Sequence, residues 1–354
     1  MSTPRVAIAM SGGVDSSTAA ALLVEQGYEV FGLMLRLWSA PDHGNRCCSP
    51  EDMAMARRVA AHLEIPFYAL DVQQRFKQAV VDPFLDDYLA GITPNPCLNC
   101  NRTIRWGFMH SKATAMGADY LATGHYARLE RQDGSVKLLR ALDRSKDQSY
   151  VLSLLPQEKL ARSLFPLGEL TKDQVRDKAQ GFQLPVADRP DSQDLCFVGQ
   201  SDYRQFLIEQ RGETFLGPGK IVNAHGQTLG QHEGLAFYTI GQRKGLGISA
   251  SEPLYVLEKK PATNTLVVGP REFLGRTRFA VTQVNWVSGQ IPQRPIQADV
   301  RVRYKAREVG GLIVMVSDTE AEIELTDSVP DITPGQAAVF YHGEECLGGG
   351  IIQT

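Results

Sequence analysis

Apolar runs that can form buried strands alternate with helix-patterned segments over the first 125 residues. The strand-like runs span residues 6–10, 29–37, 66–72 and 119–125. The predicted helices span residues 17–26, 73–89 and 102–116, and a fourth begins at Ser49, a capping residue followed by Pro50 and two acids. Pro83 is expected to kink the helix over residues 73–89. Such alternation predicts an α/β fold with a doubly wound parallel sheet, whose ligands bind beyond the carboxyl ends of the strands.

The pattern changes further along the chain. A hairpin is predicted over residues 127–141, with its turn near Asp133 and Gly134, and Thr171 caps a helix that ends at Gly181. After residue 200, short strands are predicted over residues 219–224, 254–259 and 265–269, and β-structure with turns near Gly289, Gly310, Gly311, Asp318 and Gly335 follows residue 280. We therefore predict a catalytic α/β domain, a small central mostly-β domain and a C-terminal β-barrel-like domain, spanning residues 1–200, 201–275 and 276–354.

Composition narrows the class of protein. The 354 residues are 43% hydrophobic and 22% charged, as in a soluble globular protein of two or three domains. No apolar run reaches the length of a membrane span, and the N-terminus lacks the apolar segment of a signal peptide. We expect a cytoplasmic monomer without a membrane partner. The net charge of −3 means that a nucleic-acid partner would need local basic surfaces.

Residues 11–17, Ser-Gly-Gly-Val-Asp-Ser-Ser, carry the first chemical signal. They join an apolar strand to a predicted helix, so that backbone N–H groups and the helix dipole create an anion site. The lysine of the common nucleotide loop, Gly-x-x-x-x-Gly-Lys-Ser/Thr, is absent. This absence favours a site that releases pyrophosphate as one unit and leaves AMP on an acceptor. The alternative is a Gly-Ser turn that merely ends a strand.

The chain has six cysteines, at positions 47, 48, 97, 100, 196 and 346. Cys97 and Cys100 form a Cys-x-x-Cys on a proline-rich loop before a predicted helix, a position that stabilises a thiolate. Three hypotheses remain open: a sulfur-handling or redox pair, half of a metal or iron–sulfur site completed by Cys196 or by Cys47 and Cys48, and plain buried thiols. Cys196 lies on a second loop. Two loop thiols near a nucleotide loop favour the first hypothesis, in which one thiol carries a persulfide and the other cuts its S–S bond.

Residues 11–17 resemble the PP-loop of the ATP pyrophosphatase superfamily. Further motifs at residues 93–101, 122–126, 146–148, 192–197 and 239–247 closely resemble those of the tRNA-specific 2-thiouridylase family. The resemblance covers nearly the whole chain.

The resemblance implies a reaction. With ATP and Mg²⁺, the family adenylates the C2 oxygen of the uridine at the first anticodon position of tRNA and releases pyrophosphate. Sulfur from an upstream relay protein or a cysteine desulfurase then replaces that oxygen, which gives 2-thiouridine and AMP. By position, Cys196 would carry the persulfide and Cys100 would be the nucleophile, with a Cys100–Cys196 disulfide as the by-product.

The resemblance also implies binding residues. Those for ATP are Ala9, Met10, Ser11, Gly12, Gly13, Val14, Asp15, Ser16, Leu35 and Gly124. Those for the target base are Asn95, Pro96 and Cys97, and those for tRNA are Lys146, Asp147, Gln148, Arg303 and Tyr304. Cys97 replaces the aspartate of many relatives, so catalysis is not expected to depend on a carboxylate there. It also competes with Cys100 as a disulfide partner. Asp15 is the candidate for a metal contact.

A basic strand is predicted over residues 300–307, where Arg301, Arg303, Lys305 and Arg307 would share one face. Such a face suits a phosphate backbone, although an ordinary solvated strand looks the same. Strict alternation would point Arg303 and Tyr304 in opposite directions unless the strand ends or bulges. Residues 242–245 form a second basic candidate, and His225 and His232 are predicted to be surface residues.

Two other functions remain as alternatives. A synthetase that adenylates a small carboxylate would need no tRNA and would survive loss of Cys196. An RNA-binding protein with structural ATP would release no pyrophosphate.

Overall fold

The computed structural model describes residues 3–38, 49–132, 134–190, 195–198, 203–212, 217–330 and 332–353. Cys47, Cys48, Asp133 and residues 192–194 of the second cysteine motif lie outside these ranges. Within them, no helix combines the length and apolar character needed to cross a membrane.

The N-terminal unit contains the first seven strands of the chain. They are β1 (Arg5–Ala9), β2 (Glu29–Arg36), β3 (Phe67–Asp71), β4 (Tyr120–Ala122), β5 (Ala127–Gln132), β6 (Ser135–Arg140) and β7 (Ser163–Leu164). Five of them form a parallel sheet in the order β3-β2-β1-β4-β7. Separate apolar cores cover its two faces, with Ala7 and Leu33 facing one and Ile8 and Met34 the other. The doubly wound parallel sheet is therefore confirmed, and its topological switch point lies between β1 and β4.

The helices pack mainly around this sheet. They are α1 (Val14–Glu25), α2 (Pro50–His62), α3 (Gln73–Phe76), α4 (Asp82–Leu89), α5 (Pro96–Asn99), α6 (His110–Ala115), α7 (Ser149–Leu152), α8 (Gln157–Ala161), α9 (Lys172–Gly181) and α10 (Tyr203–Arg211). The predicted N-caps are present, Ser49 on α2 and Thr171 on α9, and each forms part of a capping box.

Two helix predictions need correction. The helix predicted over residues 73–89 is present, but it consists of α3, a π-helical segment (Lys77–Val81) and α4. The wider π-helical turns directly before Pro83 accommodate the proline. The helix predicted from residue 102 begins earlier, because α5 continues through a second π-helical segment (Cys100–Met109) into α6. Cys100 therefore lies within a helix and not before one.

The central unit is a small sheet, as predicted. Its strands are β8 (Gly219–Asn223), β9 (Thr228–His232), β10 (Tyr255–Lys260) and β11 (Thr265–Gly269), in the order β10-β11-β8-β9. The prediction for His232 was wrong, because this residue is only 1% exposed. Its Nε2 lies 3.2 Å from the Asn264 carbonyl oxygen, and its ring packs against Tyr238.

The C-terminal unit is a closed six-stranded barrel. Its strands are β12 (Arg276–Trp286), β13 (Ile296–Arg301), β14 (Val309–Ser317), β15 (Glu320–Val329), β16 (Ala337–His342) and β17 (Glu345–Ile352). They pair in the order β12-β15-β14-β13-β16-β17, and β12 pairs with β17 to close the ring. The barrel-like prediction is confirmed. The turn predicted at Gly310 and Gly311 was wrong, since both lie within β14.

The hairpin β5–β6 joins the barrel to the α/β unit. Its strand β6 pairs with β17, with Leu138 opposite Cys346, so the hairpin extends the barrel sheet. Arg140 of β6 is buried and donates to both carboxylate oxygens of Glu308, at 2.6 and 2.8 Å. Its guanidinium lies 3.6 Å from the ring centroid of Tyr341, and Arg301 also binds Glu308. Glu308 thus bridges two guanidinium groups at the junction, and Asp147 lies 3.8 Å from Arg301 as a second counter-charge.

We expect Glu308→Gln to lower the free energy of unfolding by about 2 kcal/mol, because it removes the carboxylate that pairs with buried Arg140 and leaves Arg301 only the more distant Asp147, at 3.8 Å. Burial acts to raise the pKa of Glu308, but hydrogen bonds and charges from Arg140 and Arg301 outweigh it and lower the pKa. A carboxyl with a lowered pKa stabilises the fold above its ordinary pKa and loses this effect as the pH falls. The difference between wild type and variant, measured by urea unfolding, should therefore shrink below pH 4.5.

The matched control is Glu324→Gln, which removes an exposed barrel carboxylate paired with Arg278. This change should cost less than about 0.5 kcal/mol. Equal effects of the two substitutions would contradict the assignment of the junction to Glu308.

Candidate active site

The PP-loop lies directly after β1 at the switch point. Gly13 caps α1, which begins three residues earlier than predicted and so places Asp15 and Ser16 in its first turn. The Ser16 hydroxyl accepts from the Ser11 backbone N–H at 3.1 Å, which closes the loop. Gly12 has φ +76°, and a Cβ there would meet the Asp52 carbonyl oxygen at 2.5 Å. The sequence thus folds into a tight turn against the start of a helix, where orphan N–H groups favour an anion.

Other residues predicted for ATP border this loop. Ala9 ends β1, and Met10 follows it with its N–H donating to Leu33 of β2 at 2.8 Å. Leu35 is a buried residue of the same strand β2. Gly124 follows β4 and is pressed on the loop, since a Cβ there would lie 2.8 Å from the Ser16 nitrogen. The structure therefore brings the predicted ATP residues to one edge of the parallel sheet.

Two cations that the motif lacks reach the loop from residues far along the chain. Lys172 Nζ lies 2.6 Å from Asp15 Oδ1, and the Tyr126 hydroxyl donates to the same oxygen at 2.7 Å. Arg189 donates to the Gly12 carbonyl at 2.7 Å and pairs with Asp52 at 2.9 Å. None of these three contacts is predicted from the sequence. The motif at residues 122–126 includes Tyr126 and the cap at Thr171 places the start of α9, but neither gives the direction of a side chain.

His125 links the segment after Gly124, at the sheet edge that carries the PP-loop, to the helical segment that contains Cys100. Its Nε2 lies 3.2 Å from Arg105 Nη1, and its Nδ1 lies 2.7 Å from the Thr123 hydroxyl. Arginine only donates, so Nε2 accepts and the proton sits on Nδ1. Burial, followed by the charge of Arg105, lowers the pKa of His125 well below its usual value. A neutral histidine therefore ties the segment after Gly124 to the helix that carries Cys100.

The first cysteine segment is fixed from two sides. The Asn95 side chain caps α5 by accepting from the Cys97 N–H at 3.2 Å. The barrel residue Gln336 donates to the carbonyl oxygens of Thr93 at 2.8 Å and Pro94 at 3.2 Å. The base-binding candidates Asn95, Pro96 and Cys97 consequently lie at the start of α5, directly after a loop that the barrel holds in place.

The cysteines differ in exposure. Cys97 is exposed, Cys100 is buried, and Cys196 is half-buried and packs on the apolar cluster that contains Cys100. Phe197 anchors the Cys196 segment through edge contacts with Phe76, Phe84 and Phe206. The same large cluster also contains the barrel cysteine Cys346, so shared membership does not by itself pair Cys100 with Cys196. The Cys100–Cys196 disulfide remains a prediction.

The residues predicted to bind tRNA at positions 146–148 differ in how far their side chains are exposed. Asp147 is 4% exposed and accepts from the Ala141 and Ser149 N–H groups, so it holds the loop internally. Gln148 accepts from the Tyr126 N–H at 2.9 Å. Lys146 is half-buried. Of the three, Lys146 is the side chain best suited to a phosphate contact.

The basic strand prediction was wrong beyond Arg301, where β13 ends. Arg303 instead donates to the Ile240 carbonyl at 3.0 Å and to the Thr333 hydroxyl. Tyr304 packs edge-on against Tyr150, with ring centroids 5.9 Å apart. Burial raises the pKa of Tyr304, and the charges that act on it include those of Lys146 and Cys97. Because β13 ends at Arg301, the strict alternation that would point Arg303 and Tyr304 in opposite directions does not apply to them. Tyr304 lies near enough to Cys97 for the two side chains to interact electrostatically.

Two hypotheses from the sequence concern metals: a metal or iron–sulfur site at the cysteines, and a Mg²⁺ contact at Asp15. Across the ranges that the structure describes, no three histidine, cysteine, aspartate or glutamate side chains lie close enough to hold a metal ion. Cys97, Cys100 and Cys196 are therefore not arranged as a three-ligand site. Asp15, the candidate Mg²⁺ contact, receives both Lys172 and Tyr126 on Oδ1.

Comparisons with known proteins place this geometry in a family. Residues 4–200 match a family model described as a tRNA methyl transferase HUP domain, residues 204–270 a PRC-barrel domain and residues 276–352 an aminomethyltransferase beta-barrel domain. A tRNA-specific 2-thiouridylase MnmA of Geotalea uraniireducens is 46% identical over 99% of this chain and 95% of its own length. Those of Chloroflexus aggregans and Magnetococcus marinus are both 47% identical over 98% of each chain. With identity of this level along its full length, the chain belongs to the tRNA-specific 2-thiouridylase family.

Proposed function

We propose that this protein is an ATP-dependent tRNA-uridine 2-sulfurtransferase that converts the wobble uridine to 2-thiouridine. The observation that carries the proposal is the Arg105–His125 contact, which joins the ATP crevice to the cysteine helix. This contact supports the proposal because it links the segment after Gly124, proposed for ATP, to the helix that carries Cys100, proposed for sulfur transfer. Family membership supplies the substrate class.

The first step is activation of the base. The uridine C2 oxygen attacks the α-phosphorus of ATP, the bond to the β-phosphate breaks, and pyrophosphate leaves with its electron pair. Residues 9–16 and Gly124 hold the nucleotide, while Asn95, Pro96 and Cys97 receive the base. The loop N–H groups stabilise the charge that develops on the phosphates.

The second step is sulfur transfer. Cys196 carries the persulfide, and Cys100 attacks its inner sulfur. This attack either frees hydrosulfide, which displaces AMP from C2, or releases the thiolated base after the outer sulfur has attacked C2. Both routes give 2-thiouridine, AMP and a Cys100–Cys196 disulfide, which an external thiol must reduce.

The remaining components follow from this chemistry. Mg²⁺ would accompany ATP, and Lys146, Arg303 and Tyr304 would contact tRNA. Asp147 and Gln148 would support that surface. A relay protein or a cysteine desulfurase would supply sulfur to Cys196. We further propose that the enzyme acts as a monomer in the cytoplasm.

The test is a reconstitution with ATP, unmodified tRNA and a persulfide donor, in which nucleosides are identified by mass. We expect pyrophosphate, AMP and 2-thiouridine at the first anticodon position in equal amounts. AMP formed from a small carboxylate without tRNA would indicate a synthetase. A methylated base would indicate the methyl transfer named in the family model, and tRNA binding without pyrophosphate would indicate a binding protein. Each of these three results would overturn the proposal.

A further inference from the structure

Lys172 brings a positive charge into a phosphate loop that has none of its own. Its ammonium lies 2.6 Å from Asp15 Oδ1 and 5.9 Å from the centroid of the Tyr126 ring. The lysine side chain is 11% exposed, and that of Asp15 is 36% exposed. The pair therefore lies at the border between the protein interior and the solvent-exposed side of the PP-loop.

The position of Lys172 is fixed independently of Asp15. Thr171 and Gln174 form a capping box around it, and its own N–H donates to the Asp143 carboxylate at 3.0 Å. Three hydrogen bonds of the backbone thus fix the start of α9, two within the capping box and one to Asp143. An ion pair is not needed to place this helix.

The stability of helix α1 also does not explain the ion pair between Lys172 and Asp15. Asp15 lies in the first turn of α1, where the helix dipole already stabilises a carboxylate. Burying a lysine next to it costs desolvation that a single ion pair scarcely repays. A carboxylate at the mouth of an anion site also repels phosphate, so the loop needs a nearby cation to accept ATP.

We propose that Lys172 is the phosphate-binding cation of this loop, held by Asp15 before ATP binds and engaging the phosphates once ATP is present. The inference rests on the proposed function, because it concerns the same ATP site. The ammonium stabilises the negative charge that develops on the departing pyrophosphate. It performs from a distant helix the role of the lysine that the sequence motif lacks.

The first test compares ligands on Lys172→Met, which keeps the length of the side chain and removes its charge. Calorimetry with inorganic pyrophosphate and with ATP should show affinities about 10- to 100-fold weaker, whereas adenosine affinity should change less than about 2-fold. Pyrophosphate release in a single turnover should slow by about 10²-fold or more. Lys178→Met, on the last turn of the same helix, is the matched control and should change none of these values.

A purely structural role predicts a different pattern. In that case adenosine, pyrophosphate and ATP would weaken together, and Lys172→Arg would not rescue pyrophosphate binding. Either result would overturn the inference, as would unchanged pyrophosphate affinity in Lys172→Met.

A second variant keeps the test decisive if Lys172→Met fails to fold. Asp15→Asn leaves the lysine charge unneutralised, so pyrophosphate measured with EDTA should bind about 3- to 10-fold more tightly. Weaker or equal binding would contradict the inference. These binding tests need no tRNA, so a failure of tRNA thiolation in wild type would refute the proposed function without deciding the role of Lys172.

Discussion

Replacing Cys196 with serine is expected to reduce persulfide-dependent thiolation by about 10⁴-fold. A serine hydroxyl cannot form the persulfide whose outer sulfur is transferred to the base. The fold should tolerate the change, since the segment is anchored by Phe197 and not by the thiol. Release of pyrophosphate in the presence of tRNA should persist, because adenylation of the C2 oxygen does not use the thiol, whereas AMP should stay on the base. The measurement is the mass of the anticodon nucleoside after reaction with a persulfide donor.

Cys100→Ser should produce a similar loss, since it removes the thiol that cuts the S–S bond. Free sulfide should restore part of the activity to Cys196→Ser, because sulfide bypasses the persulfide. The control is Cys346→Ala, which changes a fully buried barrel cysteine and should affect stability but not sulfur transfer. Full persulfide-dependent activity in both site variants would contradict the assigned roles.

Peptide mapping after turnover adds an independent readout of the same prediction. The structure leaves Cys97 exposed and Cys100 buried in the cluster on which Cys196 packs. The proposed mechanism predicts that the Cys100–Cys196 disulfide accumulates when no external thiol is present. A Cys97–Cys196 disulfide would instead assign the partner thiol to the residue that replaces the usual aspartate.

The elements of the fold could be predicted where local signals are strong. The capping signals at Ser49 and Thr171 locate the starts of α2 and α9 to the residue. Buried strands such as β1 and β2 follow directly from apolar runs between turn residues. The order of motifs after the parallel strands also predicts that the PP-loop and Gly124 share one sheet edge.

Long-range contacts could not be predicted in the same way. Lys172 meets Asp15 across 157 residues and Arg189 meets Gly12 across 177, and no local pattern records such pairs. The attachment of β6 to β17 likewise depends on strand pairing between distant segments. The site is consequently predictable in its loops but not in the charges that complete them.

The wrong strand prediction near Arg303 has a specific physical cause. The alternation of charges continues to residue 307 in the sequence, but the backbone turns after Arg301, with the Ala306 N–H donating to the Arg303 carbonyl. The turn lets Glu308 bind Arg301 and Arg140 together. A buried charge network therefore outweighs the local preference for an extended strand.

Gly124→Ala is expected to weaken ATP binding by about 10²-fold, because the new Cβ would stand 2.8 Å from the Ser16 nitrogen and 2.9 Å from the Asp15 carbonyl carbon. Both neighbours are backbone atoms of the PP-loop, so relief requires the loop itself to move. Loop N–H groups that are displaced by even a fraction of an ångström no longer converge on one phosphate. Pyrophosphate release should fall in parallel with ATP affinity.

The matched control for this substitution is Gly181→Ala, at the end of α9, where a Cβ meets nothing within 4 Å. That change should leave ATP affinity within about 2-fold of wild type and should slightly favour the helix. Calorimetry with ATP and thermal denaturation separate a local effect on the loop from general destabilisation. If Gly124→Ala bound ATP as tightly as Gly181→Ala does, the close approach of Gly124 to the PP-loop would have no role in the nucleotide site. The ATP crevice would then have to be assigned to other residues at the same edge of the sheet.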